Sequence, residues 1–259
     1  MSRLILSRRR VMGAATASVA GLMLDGCNRL SQAPRFQDAI GKATDLTQTS
    51  QRLLLGGQPL AKEFSTSQLS PVFRANGSVM PASAAYQSLM EGGFADWRLA
   101  VEGLVRQPLW LSLDQLKAMP ARTQITRHDC VEGWSAIGGW TGVQLARVLA
   151  LAGPLPQARY VVFRCADDLG GTGDASGLYY ESIDFFDAVH PQTILAYAMN
   201  GQPLTVAHGA PLRLRVERQL GYKQAKYVMR IQLVDRLDQI GGGKGGFWED
   251  RGYAWYAGI

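Results

Sequence analysis

Short segments with strand-like apolar patterns follow one another from Leu69 onward, and this spacing is the strongest constraint on the fold. Residues 99–105 alternate between apolar and polar side chains, which is the period of a half-buried strand. Residues 160–163, 194–199 and 227–234 are apolar runs of strand length. The sequence therefore predicts a domain built mainly from short strands.

Two helices are expected between these strands. Ser112 and Gln115 have the spacing of a capping box, which predicts a short helix from there to Met119. Thr141 is predicted to cap a second helix over residues 142–152, where apolar side chains recur at helical spacing. The regular strand–helix alternation of a doubly wound parallel sheet is not present. The expected fold class is α+β, with a single mixed, strand-rich domain.

The last third of the chain contains one charged strand and an aromatic tail. Residues 212–217 alternate between apolar and charged side chains, so the sequence predicts one apolar face and one charged face. The glycine run over residues 241–246 predicts a flexible segment. The aromatic residues over 247–256 are expected to pack over the domain. The domain is therefore predicted to span residues 67–259 and to end in this tail.

The first 27 residues have the features of an export signal. Arg8 and Arg9 follow Ser7, and the weakly apolar run over residues 11–24 is too short to span a bilayer. The paired arginines resemble a twin-arginine signal, which predicts export of the folded protein to the periplasm. An ordinary secretory signal that contains adjacent arginines is the alternative.

Leu24-Asp25-Gly26-Cys27 resembles a lipobox, which would place a lipid on Cys27 and attach the protein to a membrane surface. Residues 28–66 are polar and lack a clear period. They are predicted to form a flexible tether, with one short helix near residues 36–46.

The charge balance argues against a nucleic-acid partner. The formal net charge is +6, and four arginines and one aspartate of the leader account for half of that excess. The remaining chain carries about +3, and no block of like charges is present. No nucleic-acid interaction is therefore predicted.

The chain has three cysteines, Cys27, Cys130 and Cys165, so a framework of disulfides is not indicated. A single Cys130–Cys165 disulfide stays an alternative. Cys130 lies in a predicted loop and has no CxxC partner, which argues against a zinc or iron–sulfur site. One soft thiolate on a loop suits a metal whose other ligands come from a cofactor.

The cysteine segment resembles a known family. Cys130-Val131-Glu132-Gly133-Trp134-Ser135, followed by Gly139-Trp140-Thr141-Gly142, is similar to the molybdenum-ligating segment of the sulfite oxidase superfamily. The nearest branch is the bacterial one that contains the periplasmic methionine sulfoxide reductase catalytic subunit. The resemblance implies a Mo-molybdopterin cofactor whose single pyranopterin dithiolene supplies two sulfurs. Cys130 then supplies the one protein ligand to molybdenum.

The resemblance extends to residues 200–204, 208–213 and 221–226 and implies further cofactor contacts. In the family these positions bind the pterin and its phosphate. The implied cofactor-binding residues are Arg74, Asn76, Cys165, His208, Arg213, Gln224, Ala225 and Lys226. Arg213 and Lys226 would bind the phosphate, and His208 the pterin.

Three departures from the family pattern limit the resemblance. Asp129 stands where the sulfoxide-reductase branch has a basic residue. Cys165 stands at the position of a cofactor-contacting threonine, and a thiol is a weaker hydrogen-bond donor. The long C-terminal dimerisation domain of true sulfite oxidases is not expected.

The resemblance implies an exported molybdenum oxidoreductase that transfers an oxygen atom to or from a small-molecule or peptide substrate. Reduction of a sulfoxide or an N-oxide is the leading interpretation, and sulfite oxidation in the same site is the first alternative. A hydrolase that uses Cys130 and His128 is the second, and a non-catalytic molybdopterin-binding lipoprotein is the third. A separate cytochrome is the expected electron partner, because the sequence has no Cys-x-x-Cys-His haem motif.

Overall fold

A computed structural model of the protein describes residues 33–54 and 59–259. The predicted signal over residues 1–27 and the lipid attachment predicted at Cys27 lie outside these residues. Residues 33–54 belong to one compact unit, and residues 59–259 form a second. Within these two ranges, no helix combines the length and the apolar character that crossing a bilayer requires.

The first unit contains helix α1 (Pro34–Leu54), which is 21 residues long. Pro34 stands in its first turn, where its missing N–H costs no hydrogen bond. The helix extends well beyond the short one expected near residues 36–46. The prediction of a mostly flexible tether therefore did not anticipate this helix.

The second unit contains four α-helices, four short 3-10 helices and ten strands among its described residues. The α-helices are α2 (Ala84–Glu91), α3 (Leu113–Ala118), α4 (Leu145–Ala152) and α5 (Phe185–Ala188). The strands are β1 (Arg98–Gly103), β2 (Leu109–Ser112), β3 (Ala121–Asp129), β4 (Ser135–Gln144), β5 (Tyr160–Asp168), β6 (Leu178–Asp184), β7 (Ile194–Met199), β8 (Gln202–Pro203), β9 (Arg213–Arg215) and β10 (Val228–Val234).

The strands form two sheets. The first has the order β2-β1-β10-β5-β6, and only its β1–β10 pair is parallel. The second has the order β3-β4-β7-β8, with β9 also paired to β7, and all of its pairs are antiparallel. This strand-rich, mixed arrangement confirms the predicted α+β class. One apolar core joins both sheets to α4 through Leu99, Val143, Leu145, Phe163 and Leu214.

The capping box that predicted α3 is present, whereas the helix predicted from Thr141 begins later. Ser112 accepts from the backbone N–H of Gln115, whose side chain accepts from the N–H of Ser112. Thr141 lies within β4, and its hydroxyl is 2.9 Å from that of Thr123 on β3. A Cβ on Gly142 would lie 2.1 Å from the carbonyl oxygen of Leu195 on β7. Pairing with strands on both sides therefore keeps these residues extended until Leu145.

Residues near the predicted end of the tether pair with the domain instead. The backbone N–H of Phe64 donates to the carbonyl of Ile125, at 2.9 Å, and Glu63 forms a bridge with Thr126. The side chain of Gln192 also bonds both backbone groups of Ala61. These hydrogen bonds fix residues 61–64 at the edge of β3.

The glycine run near the C-terminus is held in place, so the prediction of a flexible segment was wrong. The Asp250 carboxylate accepts from the N–H groups of Gly242, at 2.6 Å, and Lys244, at 2.8 Å. It also accepts from the hydroxyl of Tyr180. A Cβ on Gly241 would lie 1.9 Å from that hydroxyl oxygen, so the glycines allow a close approach rather than motion.

Lys223, Glu181 and Glu249 form an ion cluster that is shielded from solvent. The Lys223 Nζ lies 2.5 Å from Glu181 Oε1 and 2.6 Å from Glu249 Oε1. Burial raises the pKa of Glu181, whereas for Lys223 the two carboxylates outweigh burial and raise its pKa. The cluster joins β6, the turn Gly221–Lys223 and the C-terminal segment.

Replacing the cation of this cluster is expected to destabilise the domain strongly. Lys223→Met leaves two buried carboxylates without their counter-ion, which costs about 3–5 kcal/mol in unfolding free energy. Arg230→Met is the matched control, because it breaks a partly exposed pair with Glu102 that contributes about 0–1 kcal/mol. Urea unfolding measures both. If Lys223→Met is as stable as Arg230→Met or more stable, the expected role of the cluster is contradicted.

Candidate cofactor site around Cys130

Cys130 begins the turn that connects β3 to β4. Its N–H donates to the carbonyl of Trp134, at 2.9 Å, and the N–H of Gly133 donates to the carbonyl of Cys130, at 3.1 Å. Gly133 has a φ of 83°, which a glycine adopts without strain. The turn therefore presents the half-buried thiol at a fixed point of the hairpin.

The thiol lines a cavity formed by four parts of the chain. They are the segment Asn76–Gly77, the turn Cys130–Glu132, the turn Gly221–Lys226 and the C-terminal pair Trp248 and Tyr253, with further side chains from Asp167, Leu169 and Tyr179. Burial, followed by the nearby charge of Glu132, raises the pKa of Cys130. The isolated chain thus keeps Cys130 as a thiol, and a cation or metal would be needed to hold it as a thiolate.

His128 is not available as a base for Cys130. Its ring is buried, and its Nδ1 accepts from the Arg215 guanidinium at 3.1 Å. Burial and the charges of Arg215 and Arg213 lower the pKa of His128 to about 2, so the ring is neutral. A Cβ on Gly221 would lie 2.5 Å from its Nε2, which shows how closely the backbone covers the ring. A Cys130–His128 hydrolase lacks the required hydrogen bond in this geometry.

The charged face predicted for residues 212–217 is buried, not solvated. Arg215 binds Glu217 through two hydrogen bonds, of 2.9 and 2.6 Å. The guanidinium carbons of Arg213 and Arg215 lie 4.8 and 4.3 Å from the ring centre of Trp140 on β4. Alternation correctly predicted two faces here, but the second face packs against β3 and β4.

Arg213 and Lys226 are buried cations that form no salt bridge with any residue the structure describes. Arg213 donates to the carbonyl oxygens of His208 and Gln224, at 3.0 and 3.5 Å, and its Nε has no partner among the described residues. Lys226 donates to the carbonyls of Ser78 and Ala207. Burial and the neighbouring arginine lower the pKa of Lys226 to about 7. Two such cations are costly unless an anion binds beside them.

The turn before β10 offers further donors for an anion. Gln224 and Ala225 are buried there. The backbone N–H groups of Ala225 and Lys226 have no acceptor in the described part of the chain. Successive free N–H groups beside a lysine are a typical setting for a phosphate.

The segment that contains Arg74 and Asn76 closes one side of the cavity. Asn76 lines the cavity, whereas the side chain of Arg74 is not among the lining residues. Both ring nitrogens of His208 are used within the protein, with Nε2 3.1 Å from the Phe73 carbonyl and Nδ1 2.8 Å from the Thr205 hydroxyl. His208 therefore fixes the position of this segment.

Cys165 does not line the cavity that contains the Cys130 thiol. It is a buried member of the apolar core on β5 and lines a different cavity from Cys130. Both cysteines are free thiols, so the alternative of a Cys130–Cys165 disulfide is wrong. Sequence alone did not indicate this separation, because it depends on how β5 packs.

Asp167 is a buried member of the site that the sequence reasoning missed. Its Oδ2 accepts from the Ser78 hydroxyl at 3.0 Å, and its Oδ1 has no partner among the described residues. Burial raises the pKa of Asp167 to about 6, although Ser78 and Lys226 act in the opposite direction. The adjacent pair Asp167-Asp168 was the only feature of the sequence that could have indicated this carboxylate, and it does not show which of the two points into the cavity.

The donor set fits a molybdopterin better than a metal held by protein ligands alone. Across the described residues, no group of three or more His, Cys, Asp or Glu side chains could hold a metal ion. One thiol, two buried cations and free backbone N–H groups match a metal that carries its own anionic dithiolene and phosphate. The orphaned Nε of Arg213 is the clearest sign that an acceptor belongs there.

Residues 87–239 match the oxidoreductase molybdopterin binding domain, a range that includes Cys130, Arg213 and Lys226. The chain belongs to this family. The membership confirms the predicted resemblance to the sulfite oxidase superfamily and the expected molybdopterin cofactor. It also identifies the protein as a molybdenum-dependent oxidoreductase.

Several relatives of this molybdopterin-binding domain have names that describe an activity. The chain is 40% identical over 199 residues to a YedZ1 protein of Azospira oryzae, named as a putative protein-methionine-sulfoxide reductase subunit, covering 75% of this chain and 70% of that protein. It is 40% identical over 147 residues to the protein-methionine-sulfoxide reductase catalytic subunit MsrP of Gluconobacter oxydans, covering 54% and 47%. The chain thus spans less than half the length of that MsrP.

Among solved structures, the chain is similar to the sulfane dehydrogenase SoxCD of Paracoccus pantotrophus. The two are 26% identical with a TM-score of 0.48, and the match covers 55% of this chain and 39% of that chain.

The raised thiol pKa predicts slow alkylation of Cys130 in cofactor-free protein. In a Cys27→Ser background, iodoacetamide should modify Cys130 slowly at pH 7 and much faster above pH 9, because only the thiolate reacts. Cys165 should stay unmodified in the native state, since its thiol is buried. Mass spectrometry of the alkylated peptides measures both rates. Rapid labelling of Cys130 at pH 7 would show a low-pKa thiol and favour a cysteine hydrolase.

Ionised Asp167 is expected to destabilise the cofactor-free chain at high pH. The pKa of Asp167 is about 6 in the folded chain and 3.8 for an unperturbed carboxyl group. The stability that its protonation contributes is fully present below pH 4 and is lost as the pH rises through 6. Asp167→Asn should therefore be more stable than wild type at pH 8, by about 3 kcal/mol, and equal to it below pH 4. Urea midpoints across this range test it. Asp174→Asn, at an exposed carboxylate, should give no gain at pH 8.

Proposed function

We propose that this chain is a molybdenum-dependent reductase that removes the oxygen atom from a sulfoxide, with Cys130 as the protein ligand to the metal. The observation that carries this proposal is the pair of buried cations, Arg213 and Lys226, close to the cavity that Cys130 lines. The names of the relatives support the sulfoxide as substrate, since they describe protein-methionine-sulfoxide reductases.

Each of these side chains has a task that follows from its surroundings. Arg213 and Lys226 would bind the phosphate with the backbone N–H groups of Ala225 and Lys226, because these donors have no anionic partner among the described residues. Asn76 and Gln224, which line the cavity, would contact the pterin. His208 holds the segment that carries Asn76 through its bond to the Phe73 carbonyl.

When bound, the cofactor would supply the two-electron redox chemistry that oxygen-atom transfer requires. Overall, a sulfoxide, two electrons and two protons yield a sulfide and one water. Asp167 and Glu132 both line the cavity, and either carboxyl group is placed to supply protons to it. Glu132 also accepts from the Trp134 indole at 3.1 Å, which fixes its carboxylate near the thiol.

The remaining parts of the proposal concern location and partners. We infer export to the periplasm by the twin-arginine route, which suits a protein that must fold around its cofactor before export. Lipid attachment at Cys27 would hold the enzyme at a membrane surface. A separate cytochrome would deliver the electrons, because the sequence contains no haem-attachment motif.

Substitution of Cys130 is the direct test of this function. In protein purified from a host that makes molybdopterin, we expect about one molybdenum per wild-type chain and sulfoxide reduction with reduced viologen. Cys130→Ser should lower the molybdenum content and reduce activity by at least about 100-fold, because it removes the proposed protein ligand to the metal.

Cys165→Ser is the matched control, since it changes a second free thiol of the domain without touching the cavity around Cys130. It should retain both molybdenum and activity. A fully loaded wild type that oxidises sulfite but reduces no sulfoxide would replace the proposal with sulfite oxidation. A loaded chain that is inert to sulfoxides, N-oxides and sulfite would favour a carrier role.

A further inference from the structure

The C-terminal turn over residues 247–253 lies beyond residue 239, where the match to the family domain ends, yet it forms part of the cavity wall. Trp248 and Tyr253 both line the cavity that contains the Cys130 thiol. Binding of the cofactor by Arg213 and Lys226 does not require these two rings. Both rings therefore contribute to the cavity from outside the matched range of residues 87–239.

Buried side chains of the same turn hold the two rings in place. Phe247 is packed in the core, and Glu249 binds Lys223 at 2.6 Å in the buried ion cluster. The N–H of Tyr253 donates to the carbonyl of Trp248, at 3.0 Å, and the Tyr222 hydroxyl donates to the carbonyl of Ala254, at 2.6 Å. The turn is therefore anchored on both sides of the rings, and the wall is rigid.

The rings form a continuous aromatic surface. Trp248 and Tyr253 are stacked, with ring centres 5.3 Å apart and an interplanar angle of 28°. Tyr222 meets Tyr253 edge to face at 5.1 Å. Tyr253 is 40% exposed, and Val131, next to Cys130, is 44% exposed. Val131 and the two rings line the same cavity, so apolar side chains face it from both the cysteine turn and the C-terminal turn.

Another side of the cavity is polar, so its walls differ in chemistry. Glu132 and Asp167 supply carboxyl groups to this cavity, whereas Asn76 and Lys226 are among the proposed cofactor contacts. A ligand that suits the whole cavity has a polar reacting group and an apolar arm. Aromatic faces bind apolar arms of this kind.

We propose that Trp248 and Tyr253 bind the apolar arm of the sulfoxide and make the enzyme selective for sulfoxides with an aromatic or long hydrocarbon arm over small dialkyl sulfoxides. This inference rests on the proposed sulfoxide reduction. It assigns substrate selectivity to a C-terminal turn outside the family domain, while the cofactor is held by residues within it.

The test compares two sulfoxides on molybdenum-loaded protein. With reduced viologen as donor, methyl phenyl sulfoxide has an aromatic arm for the wall, whereas dimethyl sulfoxide has none. Trp248→Ala and Tyr253→Ala should each raise KM for methyl phenyl sulfoxide by about fivefold to tenfold. Their kinetics with dimethyl sulfoxide should change by less than about twofold, because this substrate does not reach the rings.

A binding measurement that does not depend on turnover accompanies the kinetics. Isothermal titration of the loaded enzyme with methyl phenyl sulfide, the product, should show a Kd weakened by a similar factor in both variants. Trp248→Phe should restore most of the affinity, because it keeps an aromatic face. Trp110→Ala is the matched control, since this tryptophan is 65% exposed on β2 and does not line the cavity.

The outcomes separate the inference from the proposed function. Equal losses for both sulfoxides, or no loss for either, would overturn the selective wall while leaving sulfoxide reduction in place. A fully loaded wild type inert to both sulfoxides would overturn the proposed function. If Trp248→Ala loses molybdenum or fails to fold, the Tyr253→Ala variant decides whether the wall is selective, because the Tyr253 ring is the more exposed of the two. Tyr253→Phe then tests whether the aromatic face without the hydroxyl is sufficient.

Discussion

Positive charge buried beside a single thiol is the constraint on which the rest of this structure depends. Arg213, Arg215 and Lys226 are all buried, and Glu217 pairs with Arg215. Backbone carbonyls hold Arg213 and Lys226 in place without neutralising them. Burying this charge is costly unless an anion binds beside it, and the molybdopterin expected for this family is anionic.

The two sheets and the C-terminal segment hold this charged region from different directions. The ring of Trp140 on β4 packs against the guanidinium groups of Arg213 and Arg215 on β9, so the antiparallel sheet supplies an aromatic contact to both cations. The ion cluster of Lys223, Glu181 and Glu249 joins the turn Gly221–Lys226 to β6 of the other sheet. A fixed arrangement of this kind allows a cofactor to bind without reordering the donors.

Local chemistry allowed several elements to be predicted from the sequence. The capping box at Ser112 is satisfied by residues three apart, so no distant partner affects it. The strand over residues 194–199 is found with those bounds, and Asn200 and Gly201 after it both adopt positive φ values. The family was predicted from the resemblance of the segment that begins at Cys130 to the molybdenum-ligating segment of the superfamily.

The sequence by itself determined the class of fold, the cofactor family and the residue types that a buried anion requires. Only the tertiary structure decided that the charged side of the 212–217 alternation is buried, that Thr141 is extended and that Cys165 lies apart from Cys130. It also showed that Trp248 and Tyr253 line the cavity that contains the thiol. The physical reason is that a local period specifies two faces, whereas burial depends on partners far away in the chain.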